Sequence, residues 1–312
     1  MQKTDQIAVI GAGLAGLTVA RALVDRGHSV VIFDKGRGLG GRMASRRKDG
    51  WRFDHGAVAL RPTEDAFAAF VNQSEAQGYA AHWKDAGGWT GLPGMSGLVK
   101  PVANGLTIHT QAEVTGLDRG PDGWTLRGPA EAVGIYFDHL ILAIPQPQAH
   151  RLLSPWPYLQ TQIEPAEMAP CWTLMVGFET SLHTDATYAS HKEGPISVIA
   201  RETAKPGRDL PGDGWVIQAS AEWSREHLER DRAEVETHLL EAFFTALDCA
   251  PVTPEISMVH RWRYAQTSKP LGQAYLHDVS LGLSVCGDWC LGNTAQDAFN
   301  SGRLLAKALI SE

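Results

Sequence analysis

Ile7-Ala8-Val9-Ile10 is an unbroken apolar run that stops at a glycine, and Leu14, Leu17, Val19, Ala20 and Leu23 follow at helical spacing. A second run, Val30-Val31-Ile32-Phe33, ends in Asp34. Short continuous apolar runs suit strands buried on both faces, whereas a 3.6-residue period predicts a helix. The chain therefore opens as strand, helix, strand. Phe137 to Ile144 is a denser apolar run stopped by Pro145, read as another strand buried on both faces that returns the chain to the first sheet. Leu283-Ser284-Val285-Cys286 repeats the strand pattern, and a helix is expected from about Thr294 to Ile310. One nucleotide-type domain is thus predicted to be built from both ends of the chain.

The middle of the sequence reads differently. Trp51 to Ala57 is expected to be a short strand ending in a turn. A helix is predicted from Thr63 to about Gln77, with Phe67, Phe70 and Val71 on one face and Thr63 as its cap. Gly87 to Gly97 reads as short strands and loops. Alternation around Leu106 to Arg127, with the turn Pro121-Asp122-Gly123, predicts a meander. Strands are expected at Cys171 to Phe178, Trp215 to Trp223 and Ile256 to Tyr264. One long helix, Ser224 to Leu247, would carry Leu228, Val235, Leu239, Phe243 and Leu247 on a common face. The fold class is α/β: a Rossmann-like dinucleotide-binding domain over 1–60, 95–150 and 279–312. A second, α+β substrate domain with a mixed or antiparallel sheet takes 61–94 and 151–278.

The 312 residues allow two domains with real cores, and 44% hydrophobic with 20% charged residues is an ordinary globular composition. A net charge of -7 argues against nucleic acid as a main partner, and Arg46-Arg47-Lys48 reads as a solvated basic loop. No apolar run approaches the ~20 residues of a membrane span, and the first strand begins too early for a targeting segment. A cytoplasmic, membrane-free protein is the expectation. Cys171, Cys249, Cys286 and Cys290 are too scattered for a disulfide framework. No metal site is expected, because no cysteine or histidine pair has finger-like spacing.

The chemistry starts at Gly11-Ala12-Gly13-Leu14-Ala15-Gly16. Gly11 permits the tight turn, Gly13 lets the backbone approach a pyrophosphate, and Gly16 lets the helix pack close to the sheet. The pyrophosphate would sit at the positive end of the helix. Asp34, 23 residues after Gly11, is placed to accept hydrogen bonds from a ribose hydroxyl pair and to disfavour a 2′-phosphate. These residues alone fit NAD as well as FAD. The second glycine-rich loop, Gly36 to Met43, shifts the balance to FAD, since Arg42 after Gly40-Gly41 suits a second contact on a pyrophosphate.

These motifs resemble the renalase-like branch of the flavin amine oxidase superfamily. The resemblance is carried by Gly11 to Gly16, Phe33-Asp34-Lys35, Arg37-Gly38, Gly40 to Met43, Pro93 to Ser96 and Glu222 to Arg225. It continues in His260-Arg261-Trp262 with Tyr264, and in Cys286-Gly287-Asp288-Trp289-Cys290. It implies a non-covalent FAD whose isoalloxazine ring faces the second domain. Gly11, Gly13, Gly16, Asp34, Lys35, Gly41 and Arg42 would hold adenosine and pyrophosphate, and Val114 would pass its backbone under the adenine. Asp288 would contact the ribityl and phosphate region. The helix start near Asn293 and Thr294 would aim oriented amides at the pyrimidine side of the ring, stabilising the reduced flavin. The implied activity is oxidation of dihydronicotinamide isomers of NAD(P)H to NAD(P)+, with electrons passed to dioxygen to give hydrogen peroxide. A dihydropyridine nitrogen pushes hydride out without a protein base.

The chain departs from the family pattern at Asp54 to Arg61 and at Gly292 to Ala298. These departures keep two other readings open: an FAD-dependent oxidoreductase acting on an amine or other small molecule, and a non-catalytic FAD-binding sensor or partner protein. On the substrate side, His55 is a candidate to orient a substrate carbonyl or to help protonate the flavin. His260, Trp262 and Tyr264 alternate along one strand and share a face, with Arg261 on the other. That face is either cavity wall or core. Arg61 reads as a solvated loop residue.

Overall fold

The computed structural model describes residues 5–311, which divide into two compact units. The first comprises 1–41, 99–168 and 266–312; the second comprises 42–98 and 169–265. These bounds differ from the expected 1–60, 95–150 and 279–312 against 61–94 and 151–278. Residues 42–60 belong to the second unit, because the strand Trp51–Phe53 pairs there with Arg46–Lys48 and its rings join that unit's core. Residues 266–278 belong to the first, because the strand Tyr275–Asp278 lies on its sheet.

In the first unit, β1 (Gln6–Ile10) leads through a glycine turn into α1 (Leu14–Val24), then β2 (Ser29–Phe33). The six-stranded sheet has the order Tyr275–Asp278, Leu283–Cys286, His139–Leu142, β1, β2, Thr107–His109. Its pairings are parallel except at the Tyr275–Asp278 edge. Ile7 to Ile10 and Leu140 to Leu142 are buried, as strands covered on both faces require. Thr107–His109, expected in a meander, is instead a parallel edge strand against β2; only Gly116–Gly120 and Gly123–Arg127 form the antiparallel hairpin.

The helix Ala295–Ser311 packs against α1, and Gly302 makes the approach possible: a Cβ there would lie 2.3 Å from the Ala15 carbonyl oxygen. The same logic fixes Gly16, whose Cβ would lie 2.0 Å from the Gly11 oxygen. Gly11 itself has φ +110° and faces the Ala143 carbonyl.

The second unit holds a five-stranded sheet in the order Tyr188–Ser190, Ile196–Arg201, Asp213–Ala219, Glu167–Phe178, Ile256–Lys269. The first three pairings along this order are antiparallel. Leu174, Val176 and Phe178 point into a core with Trp215, Ile217 and the helix residues Val235, Leu239 and Phe243. Met175 and Val216 point the opposite way, onto Trp51, Phe53 and Trp83. The sheet is therefore buried on both faces.

The expected helix from Ser224 to Leu247 is two helices, Ala221–Glu226 and Arg232–Ala246. Ser220 caps the first through the Trp223 amide, and Asp231 caps the second by accepting from the Ala233 amide at 2.8 Å. Two independent N-caps outweigh a hydrophobic face that looks continuous in sequence. The helix expected from Thr63 spans Asp65–Ala76, with Glu64 rather than Thr63 at the cap position. Arg46-Arg47-Lys48 is not a loop but a strand, turned back through Asp49 (φ +50°) and Gly50 (φ +82°).

Candidate functional site

The first unit brings the two glycine loops side by side. Gly13 and Gly40 form a parallel bridge, the Gly40 amide donates to the Ala12 carbonyl at 2.9 Å, and a Cβ on Gly41 would lie 3.4 Å from Gly13 Cα. Gly13 occupies the N-cap position of α1 in an extended conformation with no side chain capping it. A Cβ built on Gly13 meets nothing within 4 Å. The helix thus ends in first-turn amides that lack intrahelical acceptors, facing a space that a Cβ would enter without touching protein. A pyrophosphate fits that cradle in charge and in room.

Asp34, expected to accept from ribose hydroxyls, accepts hydrogen bonds from the protein backbone. Its Oδ2 accepts from the Ala12 amide and its Oδ1 from the Gly36 amide, each at 2.6 Å, so one carboxylate braces both loops. A carboxylate has about four acceptor positions, which leaves room for ribose hydroxyls. Lys35 beside it is exposed. Arg42 donates from Nη1 to the Ala265 carbonyl at 3.2 Å. Val114 is buried in the extended stretch after Ala112, whose amide is tied to the Asp34 carbonyl. Asp288 is buried, opens the short helix Asp288–Leu291 and accepts from Thr267 Oγ1 at 3.3 Å.

The helix expected to start near Asn293 and Thr294 begins at Ala295, and protein groups cap its end. Thr294 is the cap rather than the first turn: its amide and hydroxyl donate to Asp297 Oδ2 at 2.9 and 2.6 Å, and the Asp297 amide donates back to Thr294 Oγ1 at 3.2 Å. This reciprocal capping box spends two amides and places a carboxylate at the positive end of the helix. Gly292 packs closely beside it: a Cβ there would lie 2.5 Å from Asp297 Oδ2, so a larger residue would displace that carboxylate from the box.

The second unit gathers three rings from two distant segments. His55 stacks on Trp262 with centroids 5.2 Å apart and meets His260 edge-on at 4.9 Å, while His260 and Trp262 are 4.4 Å apart. Trp262 Nε1 donates to the His55 carbonyl at 2.9 Å. The chain at Gly56 is pinned by Gln218 Nε2 on its carbonyl at 2.6 Å and is pressed against the Arg42 backbone. His55 is 5% exposed, whereas His260, Trp262 and Tyr264 are all half-buried. Arg261 and Arg263 both pair with Glu229, and Arg261 also lies over Trp172.

Burial, the His260 ring and Arg46 push His55 down to about 3. Burial, Arg46 and Arg232 push His260 down to about 4. Both imidazoles are neutral near pH 7, so His55 is suited to hydrogen bonding and not to delivering a proton. Arg61 is exposed, as expected of a loop arginine, and also donates to the Ala86 carbonyl at 2.9 Å and lies over the Tyr188 ring.

One constellation escaped the sequence reading. Asp54, Glu202, Lys205 and Arg208 form a fully buried network: Lys205 Nζ lies 3.1 Å from Asp54 and 2.5 Å from Glu202, and Arg208 pairs with both carboxylates. Ser45 Oγ and the Met95 amide also donate to Asp54. Burial pushes the Asp54 carboxyl up, but Lys205, Arg208 and these donors outweigh it and hold it at about 2. The spacing of Glu202, Lys205 and Arg208 was the available signal. Their partner Asp54 is 151 residues from Lys205, so nothing local announces it.

A model of flavin containing amine oxidoreductases matches residues 77–310, and one of NAD(P)-binding Rossmann-like domains matches residues 9–74. The chain belongs to the flavin containing amine oxidoreductase family. It is a family of FAD-dependent oxidoreductases, and FAD is the cofactor whose pyrophosphate the glycine cradle suits. A 4,4'-diapophytoene desaturase (4,4'-diaponeurosporene-forming) of Staphylococcus aureus (strain MRSA252) is 48% identical over 58 residues, 18% of this chain and 12% of that protein. The match therefore spans about an eighth of the curated relative. Cyclohexylamine oxidase from Brevibacterium oxydans IH-35A shares the fold with a TM-score of 0.73 at 12% identity, over 99% of each chain. A putrescine oxidase variant does so with a TM-score of 0.74 at 14% identity, over 99% of this chain and 100% of that one.

The four cysteines are free thiols; burial pushes Cys171 up to about 11 and Cys290 up to about 12. Among the described residues no group of three or more His, Cys, Asp or Glu is arranged to hold a metal, and no helix is long and apolar enough to cross a membrane.

Proposed function

We propose that the protein is an FAD-dependent oxidase of the renalase-like type, taking hydride from dihydronicotinamide isomers of NAD(P)H and passing the electrons to dioxygen. The balance is one dihydronicotinamide, one proton and one dioxygen giving one NAD(P)+ and one hydrogen peroxide. The bound flavin supplies two-electron acceptance and reoxidation by dioxygen. In this reading Gly11, Gly13, Gly16, Asp34, Lys35, Gly41, Arg42, Val114 and Asp288 hold the cofactor. His55, Trp262 and Tyr264 form the substrate-side wall.

The observation that carries the choice of substrate is the neutral, weakly basic state of His55 and His260 on an otherwise aromatic, half-buried face. Hydride leaves a dihydropyridine without a base, whereas an ammonium substrate must first lose a proton, and imidazoles held near 3 and 4 accept one poorly. The flat Trp262 and Tyr264 rings suit stacking of a planar ring and orient it for transfer.

Amine oxidation is the second reading, favoured by the family and by what its structural neighbours are called. Anaerobic mixing of the yellow protein with NADH, NADPH, their dihydropyridine isomers and a panel of amines separates the readings. Fast bleaching by the isomers alone, with peroxide formed on readmitting air, is the expected result. Bleaching by amines transfers the assignment to the second reading, and no bleaching by any of them leaves an FAD-binding sensor or partner protein. The protein is expected to work in the cytoplasm.

A further inference from the structure

We propose that Arg46, His55 and His260 form an oxyanion subsite that holds a carboxylate or phosphate of the substrate while its planar ring lies on Trp262 and Tyr264. This assignment of the ligand as substrate rests on the function proposed above; the anion site itself does not.

The backbone brings the three residues together. Arg46 opens the strand Arg46–Lys48 and sits opposite Phe53 in the hairpin register, two residues before His55. His260 touches the His55 ring from the strand Ile256–Lys269. Arg46 is half-buried, its Nε is shut off from water with no acceptor, and the guanidinium has no carboxylate among the described residues. The buried cations Lys205 and Arg208, by contrast, are each matched to Asp54 and Glu202. That matching also removes Asp54, the carboxylate next to His55 in sequence, as a counter-ion for Arg46.

His55 Nδ1 is a second poorly satisfied nitrogen in the same cluster: it is buried and makes no hydrogen bond of full geometry, with only the Phe53 backbone near enough to act on the ring. Buried nitrogens are rarely left unpaired, so the unpaired Arg46 Nε, beside a poorly satisfied His55 Nδ1, marks a place where a ligand supplies the acceptor. The sign of the local charge says which ligand. The imidazoles are neutral, so Arg46 contributes the positive charge, with Arg232 adding to it at His260. An oxyanion satisfies a guanidinium through short charge-assisted hydrogen bonds, and an ammonium group is repelled. The subsite therefore selects planar substrates that carry an acidic oxygen group and disfavours simple cationic amines.

Histidine side-chain NMR of the FAD-loaded protein tests this, with His55 and His260 signals assigned by H55Q and H260Q. Inorganic phosphate, benzoate and the neutral isostere benzamide are the titrants. Saturable shifts of both histidines with benzoate or phosphate are expected, with benzamide at least tenfold weaker. R46Q should weaken anion binding at least tenfold, and R46K, which keeps the charge without the planar fork, should recover part of it. Response to phosphate alone identifies a phosphate ligand, and response to benzoate alone a carboxylate; both support the subsite. Equal anion affinity in wild type, R46Q and R46K, or equal binding of benzoate and benzamide, overturns it.

The outcomes for site and function separate. A protein that binds benzoate through Arg46 but is bleached by no dihydronicotinamide keeps the subsite and loses the proposed function. One that oxidises phosphate-bearing isomers with unchanged KM in R46Q keeps the function and loses the subsite.

Discussion

His55 keeps its ring neutral inside the protein, and that neutrality has a consequence for acid stability. A free histidine titrates near 6.5, whereas burial, His260 and Arg46 hold this one near 3. Between those values the unfolded chain binds a proton that the folded chain does not, so stability falls as pH drops below about 6.5. The slope for one group is about 1.4 kcal/mol per pH unit, or about 2 kcal/mol from pH 7 to 5. H55Q removes this contribution, and urea titrations at the two pH values should show a smaller acid loss in H55Q than in wild type.

Asp54 shifts stability in the same direction over a lower pH window. Its folded value of about 2 means its stabilisation is complete above the unfolded value near 3.9 and is lost as pH falls through about 2. The larger effect comes from removing the charge. D54N leaves Lys205 and Arg208 with one carboxylate between them, and breaking a buried pair in this way costs about 3–5 kcal/mol. Urea denaturation at pH 7 checks the size; a loss under 1 kcal/mol would show that water or rearrangement already satisfies the network.

Elements divide into those whose signals are local and those whose partners are remote. The strand, glycine turn and helix at the start of the chain were legible because every requirement falls within a few residues. Gly11 needs a positive φ, Gly13 needs to leave space, and Gly16 needs to admit the Gly11 carbonyl. These three requirements predict different failures. G13A adds a Cβ where nothing stands, at φ -76°, so the apoprotein should melt within a degree or two of wild type while FAD binds at least tenfold more weakly. G16A drives a Cβ against a backbone oxygen at 2.0 Å and should lower the apoprotein melting temperature itself. Calorimetry of the apoproteins with FAD titration separates the two, and equal FAD affinity in G13A and wild type would remove the cradle as the pyrophosphate site.

The helix expected from Ser224 to Leu247 breaks in two for the complementary reason. Leu228 continues the apolar spacing, yet Asp231 restarts the helix and the Leu228 carbonyl is taken by Arg261 from a strand 33 residues on. Periodicity reports which face is apolar, not whether the axis is continuous. The Thr294 and Asp297 capping box was written in the sequence as a cap followed three residues later by a carboxylate, and it competes with any use of that helix end to stabilise an anion. T294A should cost about 1 kcal/mol of stability.

At the scale of the molecule, the nucleotide unit is assembled from three stretches of chain, and the last of them supplies structure, not decoration. Leu283–Cys286 pairs in parallel with His139–Leu142, and the helix Ala295–Ser311 covers α1 through the close approach at Gly302. A chain ended after Ser280 would expose one long edge of the parallel sheet and the apolar face of α1 together, and it would lose Asp288. Exposed parallel edges and uncovered helix faces are aggregation sites, so this truncation should yield protein that retains no flavin. The second unit takes none of its core from the removed segment: Trp172, Trp215, Leu239 and Phe243 all lie within 169–265. The truncated chain should therefore keep one cooperative, tryptophan-monitored transition that added FAD does not move, whereas in the full-length protein FAD at 100 times its Kd adds about 2.7 kcal/mol. A truncated protein that stays yellow would show that the glycine turn and β2 grip the cofactor without the carboxyl-terminal strand and helix.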